Sequence, residues 1–173
     1  MSSPSSNDSY KLRRIGVVHA NDEKQSYFLQ IDEPYRAGLK QLDQFSHATV
    51  LWWADRSDND AARKTLTTKL PYAKDVEEAG VFACRSESRP NPIAVTLTAM
   101  VSVDVEKGVV VLPWIDALDG TPLLDLKPYI PAADRVRQFK VAKWMADWPE
   151  WQEEAEAYFQ KHETDFGGDC DES

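Results

Sequence analysis

The sequence predicts a mostly β protein: a small antiparallel β-barrel with helices gathered at its C-terminal end. Three observations lead there. Short apolar or alternating runs recur through the first two thirds of the chain, separated by Gly, Pro, Asn and Asp. Strand-like and helix-like runs do not alternate, which argues against a doubly wound sheet and for a small antiparallel barrel. Beyond Asp134 the apolar spacing turns helical, with Val136, Phe139, Val141, Trp144 and Met145 as one rough stripe, and Pro149 opening a second helix that carries Trp151, Ala155, Tyr158 and Phe159.

Taken in order, residues 11–20 predict a first strand, with Leu12, Ile15, Val17 and Val18 apolar, and residues 21–24 a polar turn. Residues 26–32 predict a second strand, with Tyr27, Leu29 and Ile31 on one face. Residues 35–45 predict a helical turn or short helix with Leu39 and Leu42 inward, and 46–53 a central apolar strand. His47, at the start of that strand, reads first as a structural histidine. Residues 55–70 are polar, and Ser57-Asp-Asn-Asp60 is a fitting helix start. Residues 80–84 predict a short buried strand. Residues 93–103 predict one long strand with Ile93, Val95, Leu97, Ala99, Val101 and Val103 on one face and Thr96, Thr98 and Ser102 on the other. Residues 109–114 pair with it through a turn at Gly108. Residues 116–131 predict a loop, because Pro122, Pro128 and Pro131 forbid a long helix.

Length and charge narrow the function classes. The 173 residues suffice for one ordinary core. No apolar run reaches the roughly 20 residues of a membrane helix, and the Ser-rich start lacks the charged and apolar regions of a secretory signal. A cytoplasmic protein with no membrane partner is the expectation. The net charge is −9, but residues 150–173 hold nine acids against one base, Lys161, leaving a nearly neutral body of 20 acids and 19 bases. No basic stripe stands out as a nucleic-acid footprint. Cys84 and Cys170 do not suggest a disulfide, and His19, His47 and His162 are too scattered to suggest a metal site. No G-x-G-x-x-G follows a strand, so a dinucleotide-type phosphate loop is absent.

Two stretches carry the chemistry. Residues 80–100 read GVFACRSESRPNPIAVTLTAM, in which two arginines, Asn91 and two prolines form a stiff polar loop between apolar flanks. Such fixed donors suit ligand binding, and equally suit local pairing with acids. Residues 116–131 read DALDGTPLLDLKPYIP, with three carboxylates, Lys127 and Tyr129. Together these stretches resemble the TrmO-like family (also TsaA-like or YaeB-like), whose patterns are GVFATRS..RPNPIG and D..DGTP..DIKPY. The runs IGVVHA at 15–20 and FSHATVLWW at 45–53 are similar to the same family in the same order. The likeness covers roughly residues 13–135.

The resemblance implies a β-barrel that binds S-adenosylmethionine without a Rossmann fold, works as a homodimer and methylates tRNA at N6 of N6-threonylcarbamoyladenosine beside the anticodon. It places cofactor contacts at Asp55 and Arg56, at Arg85, at Val95, and along Asp116, Ala117, Leu118 and Asp119. It points to Asp125, Lys127 and Tyr129 as the catalytic group, and the stiff loop offers Arg89 and Asn91 for substrate. A structural salt bridge and a packed ring are an equal reading of the catalytic trio. The implied domains are a tail at 1–9, the barrel at 10–135, a helical extension at 136–162 and an acidic tail at 163–173. This chain departs from the pattern in Ala94 for the usual glycine, in Asp55-Arg56 for a more frequent His-Gln pair, and in lacking a Pro-Arg-Gln segment between the first two strands. These departures keep two other functions open: methylation of a small-molecule acceptor, and a non-catalytic S-adenosylmethionine-binding module.

Overall fold

A computed structural model describes residues 10–70, 72, 73 and 76–162. The expected tails at 1–9 and 163–173, and Cys170 with them, lie outside the described residues. The chain forms two compact units, one made of residues up to Asn59 with Asn91–Arg135, the other of Asp60–Pro90 with the residues from Val136 on.

The first unit is a seven-stranded sheet in which every pairing is antiparallel. Its strands are β1 (Gly16–Asn21), β2 (Ser26–Ile31), β3 (His47–Trp53), β6 (Ile93–Ala99), β7 (Ser102–Asp104), β8 (Val109–Leu112) and β9 (Pro122–Pro128). The order across the sheet is β6-β3-β9-β1-β2-β8-β7. Alternation drives it: every second side chain turns inward, so Val18, Leu29, Val50, Val110 and Leu123 are all fully buried in one core. Gly16 has to be glycine at its place in β1, since a Cβ there would sit 2.2 Å from the Gln30 carbonyl oxygen.

Several expectations are corrected. The sheet is not closed into a barrel: β6 and β7 remain its two edges, with only Met100 and Val101 between them. Met100 N donates to Ser46 O at 2.8 Å and Val101 N to Val111 O at 2.8 Å. The backbone therefore changes partners within one residue, and the long strand expected at 93–103 becomes two edges. Along β6 the threonine face is the inward one: Thr96 and Thr98 are 6% and 5% exposed while Val95 is 38% exposed. The expected loop at 116–131 contains β9, a central strand between β3 and β1. Pro122 and Pro128 stand at its two ends, where a missing N–H does least harm. Of the helical turn or short helix expected at 35–45, the structure has the former, as two 3-10 turns, Glu33–Leu39 and Leu42–Gln44.

The second unit holds α1 (Asp60–Lys64), the two-residue ladder of β4 (Thr67–Thr68) with β5 (Ala79–Gly80), and α3 (Ala155–Lys161). A further turn of helix, α2 (Pro131–Asp134), ends the first unit. The buried strand expected at 80–84 is instead the end of β5 followed by the 3-10 turn Val81–Ala83, with Phe82 82% exposed. The first C-terminal helix is absent as well: residues 135–142 are non-helical and only Lys143–Met145 make a 3-10 turn. Val136, Phe139 and Val141 are weak helix formers, and all three stay exposed, so no burial compensates for them.

Candidate active site

The loop from β8 into β9 is held at both ends. Ile115 and Ala117 are buried and point into the core, which turns Asp116 and Leu118 outward. Asp116 Oδ1 accepts the hydroxyl hydrogen of Thr96 on β6, and the same Thr96 oxygen accepts from Trp52 Nε1 at 2.9 Å. Further on, Asp119 Oδ1 accepts from Ala20 N at 3.1 Å and lies 3.4 Å from His19 Nδ1, while His19 stacks on Phe28. Gly120 takes φ +84°, and its N–H reaches Val18 O at 2.9 Å. Thr96 and His19 were not foreseen as site residues. The signal for Thr96 was Trp52, since a buried indole N–H requires an acceptor.

Asp125, Lys127 and Tyr129 alternate along and just past β9 and so face one side of the sheet. Lys127 Nζ lies 2.6 Å from Asp125 Oδ2, and Asp125 Oδ1 accepts from Leu126 N at 2.9 Å. Each oxygen of Asp125 thus has a partner. The hydrogen bond to Asp125, and the charge behind it, raise the Lys127 pKa above the usual lysine value. Tyr129 N donates to His47 O at 3.0 Å, and its ring meets the His47 ring edge-on. The β3–β9 register slips between Leu51 and Trp52, a bulge beside Asp125 of the kind that re-aims side chains near functional sites.

Val95 lies opposite Leu51, and Leu51 lies opposite Asp125, so the three form one row across β6, β3 and β9. Two strand spacings put Val95 about 10 Å from Asp125. Asp55 and Arg56 open a 3-10 turn after β3, exposed, with Ala54 N bonded to Pro92 O at 2.9 Å. Asn91 is exposed at the entry to β6.

The remaining two arginines belong to the second unit. Arg89 is folded back on its own loop, donating from Nε to Ser86 O at 2.7 Å and from Nη2 to Cys84 O at 2.6 Å and to Val81 O. Those carbonyls hold the loop in place of a strand ladder. Arg85 is exposed and its guanidinium makes no hydrogen bond among the described residues. It lines a cleft of about 440 Å³ with Tyr72, Phe82, Trp144, Met145 and Trp148. Burial, and then the neighbouring Cys84, push the Tyr72 hydroxyl pKa up. No group of three or more His, Cys, Asp or Glu suited to a metal occurs among the described residues.

Comparison with known proteins adds to this geometry. Residues 17–135 match the model of the tRNA-methyltransferase O N-terminal domain. An S-adenosyl-L-methionine-binding protein of Archaeoglobus fulgidus is 36% identical over 141 residues, covering 75% of this chain and 96% of that protein. The tRNA (adenine(37)-N6)-methyltransferase of Escherichia coli K12 is 35% identical over 127 residues, covering 70% of this chain but only 51% of that enzyme. A crystal structure of TrmO from Pseudomonas aeruginosa superposes with a TM-score of 0.62 over 91% of this chain and 76% of that one, at 23% identity, a likeness of fold.

Proposed function

The chain belongs to the tRNA-methyltransferase O N-terminal domain family, and from that membership we propose that it is an S-adenosylmethionine-dependent methyltransferase acting on N6 of an adenosine in tRNA, the N6-threonylcarbamoyladenosine beside the anticodon. The observation that carries the proposal is the match over 17–135, which takes in both chemistry-bearing stretches. The residues fit the donor. Asp116 and Asp119 present carboxylates on a loop already held in shape by Thr96 and Ala20, and carboxylates suit ribose hydroxyls and an ammonium. Exposed Leu118 and Val95 offer apolar surface to an adenine. Asp55 and Arg56 add polar groups to the same unit. Arg85, without a hydrogen-bond partner among the described residues, has the fork geometry for a carboxylate.

When bound, S-adenosylmethionine supplies a methyl group already activated by the positive sulfur. The protein's part is then orientation and control of charge. Lys127, held by Asp125, offers a fixed cation to an acceptor phosphate, and Tyr129 offers a ring to a base. Asn91 remains available for acceptor contact, whereas Arg89 acts by shaping its loop. We place the working form as a homodimer in the cytoplasm.

A second reading is favoured by the departures from the family pattern within the matched region, Asp55-Arg56, Ala94 and the missing Pro-Arg-Gln segment between the first two strands. On that reading the donor site is retained while the acceptor is a small molecule, or transfer is absent. Mass spectrometry of tRNA nucleosides from cells with and without the gene separates the two. Loss of the methylated threonylcarbamoyladenosine on deletion supports the tRNA reading, and an unchanged nucleoside profile rejects it.

A further inference from the structure

The family match ends at residue 135, and the chain beyond it has its own pattern. Residues 136–148 read VRQFKVAKWMADW, three bases against one acid, with the bases interleaved with aromatic and apolar residues. The segment is exposed and mostly non-helical. Arg137, Lys140 and Lys143 make no ion pair or hydrogen bond among the described residues. They recur every third residue, and between the last two Ala142 is extended (φ −62°, ψ 149°) before Lys143 opens a 3-10 turn. Phe139, among them, is 55% exposed. The segment runs directly into the aromatic cleft, where Tyr72 meets Trp144 and Trp148 at centroid distances of 5.8 and 5.3 Å. Phe82, 82% exposed, stands at the same cleft. The acids Glu150, Glu153, Glu154 and Glu156 all come later in the chain.

We propose that residues 137–148 and the cleft form a binding site for single-stranded RNA, with Arg137, Lys140 and Lys143 on successive phosphates and Phe82 and Phe139 as platforms for unstacked bases. The inference rests on the tRNA reading above for its choice of strand, and does not draw on Arg85. Exposed cations without protein partners suit an anionic chain, and exposed rings beside them suit bases, because every base has a face to stack. The cleft's volume of about 440 Å³ admits one nucleoside. All five residues are exposed, so replacing them removes no core packing.

The test is fluorescence anisotropy of a labelled seven-nucleotide single-stranded RNA titrated with the full chain at several salt concentrations, without donor. The combined Arg137→Gln, Lys140→Gln, Lys143→Gln variant is expected to lower the salt slope of log K by about 2, since each phosphate contact on a single strand contributes about 0.7. Phe82→Ala and Phe139→Ala are each expected to weaken binding at least about fivefold, the low end for a stacked base. Calorimetry with S-adenosylmethionine checks that the triple variant and Phe139→Ala keep their donor affinity. Wild-type RNA binding by the triple variant overturns the inference. So does capture of the wild type by phosphatidylserine vesicles with no RNA binding. If the triple variant still methylates tRNA at the wild-type rate, this site fails and the tRNA reading stands. If the wild type binds the RNA through these residues but methylates no tRNA, the acceptor reading fails and the strand site stands.

Discussion

Thr96 joins more of this site than any other single side chain. Its hydroxyl receives the Trp52 indole and donates to Asp116, tying the core to the loop proposed to hold the donor. Thr96→Val keeps the shape and removes both bonds. The buried indole N–H then loses its acceptor, at about 1–3 kcal/mol. Urea denaturation should show that loss, and S-adenosylmethionine affinity should fall with it, while Thr96→Ser restores both. Wild-type donor affinity in Thr96→Val would show that the loop holds itself. Arg85 and Lys127 should fail differently. Arg85→Ala is expected to weaken donor binding by about 1.5–3 kcal/mol, the range for a charge-assisted hydrogen bond. Lys127→Ala should leave donor affinity alone and slow single-turnover transfer. The reverse pattern would exchange the donor and acceptor assignments. The Lys127 pKa is raised in the fold, so its contribution to stability is fully present below the unfolded lysine value and is lost as pH climbs through the raised one. Lys127→Ala should therefore flatten the alkaline limb of a stability–pH curve.

At the scale of elements, short apolar runs disclosed β1, β3 and β8, and period-2 patterning disclosed β2, where Tyr27, Leu29 and Ile31 share one face. It misled at β6. There the apolar side chains of Val95 and Leu97 face outward, and two threonines turn in because partners await them. The pattern records polarity, whereas burial follows hydrogen-bond satisfaction as well. β9 was hidden by its prolines, which read as loop residues until the structure placed them at the strand's ends. The motifs exposed the candidate residues, but only the structure shows that Asp125 holds Lys127 through Oδ2 while its Oδ1 takes the Leu126 N–H. Arg89 and Arg85 looked alike in the sequence, and their contacts separate them. Backbone proximity supplies one further check. Gly16→Ala sets a methyl against the Gln30 carbonyl, an overpacking expected to cost about 1–3 kcal/mol. Thermal unfolding should show a clear drop in Tm, and an unchanged Tm would mean that β1 and β2 separate with ease.

For the molecule as a whole, charge is divided along the chain, and the formal −9 conceals it. The bases at 137–143 precede the acids that begin at Glu150. The outward face of β6, β3 and β9 carries apolar Val95, Leu97 and Leu51 beside the Asp125–Lys127 pair. A second copy is the partner proposed for this surface, since a homodimer buries the same patch on both subunits. Light scattering should give about twice the 19.6 kDa chain mass at micromolar concentration, and Val95→Glu should return it to the monomer. A monomeric wild type would leave the donor site to one chain.

The hydrogen bond from Ala54 N to Pro92 O makes residues 55–91 a closed loop in the polymer sense, because the chain leaves and re-enters the sheet at neighbouring points. A loop closed at its base can be shortened without separating the strands it joins, and each halving of its length recovers about 0.6 kcal/mol of closure entropy. Replacing 55–91 by a four-residue turn should therefore leave the β3–β6 ladder, and a cooperative unfolding transition by circular dichroism, in place. The same excision removes Asp55, Arg56 and Arg85, so donor binding should vanish from a sheet that still folds. The insertion is then a cassette, open to exchange in evolution or by design, and the sheet is the chassis that carries it.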